Sequence, residues 1–108
     1  MERIYNKLVR DNIPNIIKDK GEEPIIRILS DEEYKLELEK KLYEEYKEVI
    51  EATDQDRIEE LADLLEVIKA LGELEHKSLE DIIEVANIKS IKRGSFKEKI
   101  FLEKVIEK

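Results

Sequence analysis

The chain has 108 residues, no cysteine, 44% charged residues and a formal net charge of -8. The absence of a thiol excludes disulfides, zinc–thiolate sites and cysteine nucleophiles. The acidic balance argues against nucleic acid as a partner, because a phosphate backbone is met by a positive field. The length predicts a single domain over 1–108, and the lack of a signal peptide or long apolar run predicts a cytoplasmic chain with no membrane partner.

Residues 1–8 are short and mixed in character. Asp11 or Asn12 can then cap a helix, Pro14 is tolerated in its first turn, and Ile13, Ile16 and Ile17 give it one apolar side. Gly21 stops it, so a helix is expected over about 12–20. The run 24–29 is rich in β-branched residues and too short for a helix, which predicts a strand. Ser30 and Glu33 have capping-box spacing, opening a long helix to about Ala52. The polar run 53–56 is turn-like, and a second long helix follows to about Glu75. Ser78 to Asp81 is another capping signal, for a helix to about Ile91 that Gly94 and Ser95 help to stop. In the tail, 96–108, Ile100, Phe101, Leu102, Val105 and Ile106 fit a strand or a short helix. A strand paired with 25–29 is the preferred reading. The fold class expected is mainly α, an antiparallel helical bundle with at most a small β element.

The two long helices carry acids at i,i+3 spacing, Glu45 with Glu48 and Glu60 with Asp63. With the bend at Asp54, Glu48 comes level with Glu60 and Glu45 with Asp63, and members of a pair are offset by about 4.5 Å along the axis. Four carboxylates so gathered repel one another unless a cation lies between them. Oxygen-only ligands suit a hard divalent ion, magnesium first and manganese as its substitute. Spacing alone is weak support, since a chain with 28 acids in 108 residues holds roughly seven such pairs by chance. The flanks add to it. Glu59, Glu66 and Glu73 recur every seven residues and read as a solvated strip, whereas Glu60 and Asp63 fall among Val67, Leu71 and Leu74. Acids on an apolar face are costly unless paired or metal-bound. The alternative is that they flank the core and reach water or a lysine. The apolar girdle over 58–74 exceeds what one partner helix can cover, which predicts a homo-oligomer, at least a dimer.

The sequences EEYKE (44–48) and EELAD (59–63) resemble the EExxE and EExxD motifs of MazG-like nucleotide pyrophosphohydrolases, in the all-α NTP pyrophosphatase superfamily. YNKLVRDNIP (5–14) resembles the opening of a compact MazG-related branch, and ANIKSIKRGSF (86–96) its C-terminal motif. The resemblance implies hydrolysis of a nucleoside triphosphate to monophosphate and pyrophosphate, including clearance of modified nucleotides. It implies Glu45, Glu48, Glu60 and Asp63 as magnesium ligands, with Glu48 the candidate for taking a proton from water. Positive groups expected to face the phosphates are Lys7, Arg10, Lys89, Lys92 and Arg93, with Asn87 as a polar contact to the nucleotide. For each basic residue the alternative is a solvated surface charge; Arg10 can also pair with Asp11, and Arg93 can serve the end of its helix. His76 reads as an exposed residue after a helix end, and Tyr43 and Tyr46 as core or interface. Phosphoribosyl-ATP pyrophosphohydrolase, which shares the carboxylate chemistry, is the rival enzyme. A non-catalytic helical interaction module is the rival of another class.

Overall fold

Two long helices dominate the computed structural model, which describes residues 1–108. The first helix, α1, spans Ile13–Asp19; α2 spans Asp31–Glu51, α3 Asp54–Leu74 and α4 Leu79–Arg93, with no strand. The fold is an all-α helical bundle.

Each long element starts where its local chemistry demands. At α2 the Glu33 N–H donates to Ser30 Oγ at 3.2 Å, and the Ser30 N–H donates to the Glu33 carboxylate at 3.3 Å, a closed capping box. Arg27 grips the same carboxylate at 2.9 Å, and this bond, with that from Ser30, holds the Glu33 pKa down to about 2. Only Ala52 and Thr53 separate α2 from α3, and Asp54 turns the chain with φ of +52°. So short a connection forces the helices to run antiparallel as neighbours. At α4 Ser78 and Asp81 form a second capping box, with bonds of 3.1 and 2.9 Å. That helix runs two residues beyond the expected Ile91. Lys92 and Arg93 keep helical geometry, and the turn to positive φ comes only at Gly94, where φ is +82° and the N–H donates to Ser90 O. At α1 the expected cap is absent as a bond. Asn12 holds the N-cap position, but its side-chain oxygen accepts from Asn15 instead of a backbone N–H.

Helices α2 and α3 pack along their lengths, and α4 touches α3 alone. Helix α1 packs on none of the others. The buried residues are Leu38, Val49, Val67 and Gly72. Gly72 is where α4 meets α3: a Cβ there would run into Ile82 Cδ1 and lie 3.3 Å from Lys77 O. Gly72→Val should therefore lower stability by about 1–3 kcal/mol through overpacking. Urea denaturation checks this, and an unchanged midpoint would show that α4 lifts away freely.

The strand expected at 24–29 does not form, nor does its pairing with the tail. β-branched residues favour a pleated, half-buried surface, but a strand exists only if a neighbour takes its N–H and C=O groups. No such neighbour lies alongside in this chain. Ile25 and Ile28 are exposed, and the segment is tied down through Arg27. Beyond a turn in which Lys99 N–H donates to Phe96 O, the tail is irregular and its apolar side chains are exposed. No helix is long and apolar enough to cross a membrane.

Candidate metal centre

The hairpin brings together three of the four sequence-marked acids. Carboxylate oxygens of Glu45, Glu60 and Asp63 all lie within 4.8 Å of one another, each on a half-buried side chain in the seam between α2 and α3. Glu48 is not in that group and stays exposed. The reason lies in helical rotation. Glu45 points between the helices with Leu38 and Val49, and three residues further on the direction has swung by about 60° toward the flank. Glu44 and Glu59, the neighbouring acids in each motif, are exposed, and Glu44 is paired with Lys41 at 3.3 Å.

The electrostatics follow the register set by the bend. Partial burial pushes the Glu45 carboxyl up, and among its neighbours the charge of Asp63 adds most to that rise. Loss of hydration likewise raises Glu60, and there the largest neighbouring charge is Glu48. These are the two level pairs expected from a turn at Asp54. Lys41 works against the rise at Glu45. It was not among the sequence candidates, although its place four residues before Glu45 on one helix is a legible signal. Its side chain is only 19% exposed.

Arg10 reaches the cluster from outside the hairpin. Its guanidinium donates to Asp63 Oδ1 at 2.8 Å, across 53 positions of sequence. The pairing with Asp11 considered from the sequence is thus replaced by a long-range one. The α1 start anchors Arg10, whose carbonyl accepts from Ile13 N–H at 3.0 Å. Lys7, Lys89, Lys92 and Arg93 are exposed and make no ion pair, and Asn87 makes no side-chain hydrogen bond. Helix α4, which carries four of these five, does not touch α2. Of the residues expected to face the phosphates, Arg10 alone is bonded to an acid of the cluster. His76 is exposed in the turn after α3, and Tyr43 and Tyr46 are exposed too, with ring centroids 6.3 Å apart. Those two rings are not core.

The donor set fits a hard cation. It offers carboxylate oxygens alone, open to water on one side, as suits an ion that keeps several waters beside a few carboxylates. Around an octahedral magnesium ion adjacent oxygens are about 3.0 Å apart and opposite ones about 4.2 Å, so three carboxylates within 4.8 Å draw together by up to roughly 1–2 Å to bind one ion directly, a movement that side-chain rotation supplies. Glu48, Glu51, Asp56 and Glu59 extend the acidic surface from Glu60 round an open hollow at the turn.

No family model matches the chain, and no solved structure matches it. An uncharacterized protein of Mycolicibacterium smegmatis (strain ATCC 700084 / mc(2)155) is 48% identical to it over 50 residues, 46% of this chain and 51% of the relative. The aligned stretch thus spans about half the length of that curated relative.

Proposed function

We propose that the chain is a magnesium-dependent nucleoside triphosphate pyrophosphohydrolase of the MazG-like kind. The observation that carries this reading is the meeting of Glu45, Glu60 and Asp63 within 4.8 Å, two from one motif and one from the other side of the hairpin seam. Acids that merely solvate a surface spread apart, whereas here Glu45 and Glu60 converge although burial and neighbouring charge disfavour their charged forms.

In this reading Glu45, Glu60 and Asp63 hold the ion. When bound, magnesium would acidify and orient the attacking water and offset charge on the leaving pyrophosphate. Glu48 stands next to Glu60 without belonging to the ligand group, so it is free to accept the proton that water loses. As the water oxygen bonds to phosphorus, the P–O bond at the α–β bridge breaks and pyrophosphate leaves. Arg10 holds Asp63 in the free protein. The Arg10 side chain is exposed and that of Asp63 only half-buried, so the pair contributes at most about 1 kcal/mol and yields readily to a phosphate. Arg10→Ala should then leave stability within about 1 kcal/mol while raising KM for the nucleotide roughly tenfold or more. Parallel melting curves and steady-state rates check the split; an unchanged KM removes Arg10 from substrate binding.

The test of the reading is a panel of ordinary and modified nucleoside triphosphates, with phosphoribosyl-ATP included, assayed for pyrophosphate with and without magnesium. Magnesium-dependent release from a nucleoside triphosphate supports it. Turnover of phosphoribosyl-ATP alone transfers the activity to the rival enzyme, and no turnover across the panel sinks the catalytic reading.

A further inference from the structure

We propose that residues 3–22 form a strap moored to the acid cluster by Arg10, and that a divalent cation taking Asp63 unmoors it. The inference rests on the metal-holding part of the proposed function and not on the nucleotide.

The strap is tied to itself. Arg3 donates to the Glu22 carboxylate at 2.8 Å, which joins the segment before α1 to the segment after it. Ile13 N–H bonds back to Arg10 O at 3.0 Å, and Glu22 N–H to Ile17 O at 3.2 Å. To the hairpin the same unit makes one hydrogen bond, from the Arg10 guanidinium to Asp63 Oδ1 at 2.8 Å. Every other hydrogen bond or ion pair of residues 1–22 stays within that segment. Residues 23–26 make no hydrogen bond, and the chain is next fixed where Arg27 meets Glu33. Gly21, with φ of +82°, makes the turn into this connection, and nothing lies within 4 Å of where its Cβ would stand. Four extended residues reach about 13 Å, so the strap swings without any change in the hairpin.

The mooring is electrostatic and replaceable. Carboxylate oxygens of Glu45, Glu60 and Asp63 lie within 4.8 Å of one another, and Arg10 is the one cation bonded to any of the three. There a single guanidinium nitrogen meets a single oxygen, in a pair that water reaches. A divalent ion brings twice the charge, meets oxygens at about 2.1 Å instead of 2.8 Å, and serves all three acids. Under equal screening its attraction exceeds that of Arg10 by a factor of about 2.7 at each contact, offset in part by the work of stripping its water. Arg10 on the same carboxylate then faces two positive charges on the order of 5 Å away and is pushed off.

The opposite role is an orienting one, in which Arg10 stays and aims Asp63 at the ion, as outer partners of ligating carboxylates do. Such a partner is held rigidly by its surroundings. Arg10 is not: its side chain is exposed, its bond to Asp63 is single, and the unit that carries it has no second tie to the hairpin. Release also moves Lys7, which lies on the strap and pairs with no acid. Both cations are then free to meet an anion at the ion. One segment thus shields the acids beforehand and supplies positive charge afterwards.

Calorimetric titration of magnesium into the intact chain, without nucleotide, tests the exchange. Apparent affinity falls with the fraction of time the strap is shut, so Arg10→Ala should bind magnesium roughly threefold or more tightly than the parent. The same substitution weakens nucleotide binding on the proposed function, so the two ligands should respond in opposite directions. Lys7→Ala, on the strap but unpaired, should leave magnesium affinity within about twofold. Motion is read separately. The chain has no cysteine, so Lys18→Cys and Glu66→Cys place one spin label on α1 and one on α3, both at exposed sites. Magnesium should lengthen and broaden the distance between the labels, and Arg10→Ala should do so without the ion. Equal or weaker magnesium binding by Arg10→Ala overturns the proposal, the weaker case in favour of an orienting role. A label distance that stays unchanged while calorimetry shows magnesium bound overturns it as well. Magnesium bound by neither protein removes the metal centre and the strap's exchange with it, so the two failures are told apart.

Discussion

On the proposed function, Asp63→Asn and Glu45→Gln should each cut magnesium-dependent pyrophosphate release by at least about a hundredfold, since both would remove a charge from the ion's ligands. The substitutions keep size and shape, so the loss reads out charge and ligation instead of packing. Glu44→Gln and Glu59→Gln are the controls. They sit one residue from the cluster acids in the same motifs but face solvent, and activity should stay within about twofold, as for surface changes generally. Glu48→Gln separates two roles. As a proton acceptor outside the ligand group, it should lower kcat while the magnesium concentration for half activity stays put. Initial rates over a magnesium series measure both quantities. Full activity in Asp63→Asn would remove the cluster from the chemistry, and equal losses in the Glu44 and Glu59 variants would mean that general acidity is all that matters.

The contrast between neighbouring acids shows what the sequence could reveal. Helical rotation distinguishes Glu44 from Glu45 and Glu59 from Glu60, because adjacent residues differ by 100° and only one of each pair can face the seam. The bend was legible as well: Thr53, Asp54 and Asp56 interrupt the apolar pattern, and both capping boxes mark helix starts through bonds between residues three apart. All of these are local signals. What was not legible depends on partners far along the chain. Spacing places Glu48 with Glu45, yet whether a side chain about 60° off the seam joins the cluster depends on the reach of α3. Arg10 offered no local sign that it would cross to Asp63. The run 24–29 has strand-like residues, but a ladder needs a second strand, and none comes alongside. Exposure itself was partly legible. The apolar girdle on α3 announced more surface than α2 could cover, while the flank of α2 became evident only once Tyr43 and Tyr46 stood outside the core.

Magnesium should raise the melting temperature of the unaltered chain by roughly 10 °C or more at a hundred times its dissociation constant. Binding to the folded state alone adds about 2.7 kcal/mol there, and each kcal/mol moves a domain of this size by about 4–8 °C. The sign with pH is set by the cluster. Burial and the charges of Asp63, Glu60 and Glu48 raise the Glu45 carboxyl above its ordinary value, and burial with Glu48 and Asp63 does the same for Glu60. A raised acid binds more protons folded than unfolded. Without magnesium, therefore, these groups cost stability as pH rises from the ordinary glutamate range through their elevated values, and they cost nothing below it. The ion competes with those protons, so its stabilisation should fade as pH falls through the same window. Glu45→Gln makes the two effects separable: it should melt higher than the parent at neutral pH without magnesium, because repulsion is relieved, and it should lose most of the magnesium response. Melting curves at pH 5 and 7.5, with and without the ion and with calcium as a second cation, check all four arms. Acids that only solvate a surface would show small shifts, equal for the parent and Glu45→Gln, and that equality would end the case for a bound ion.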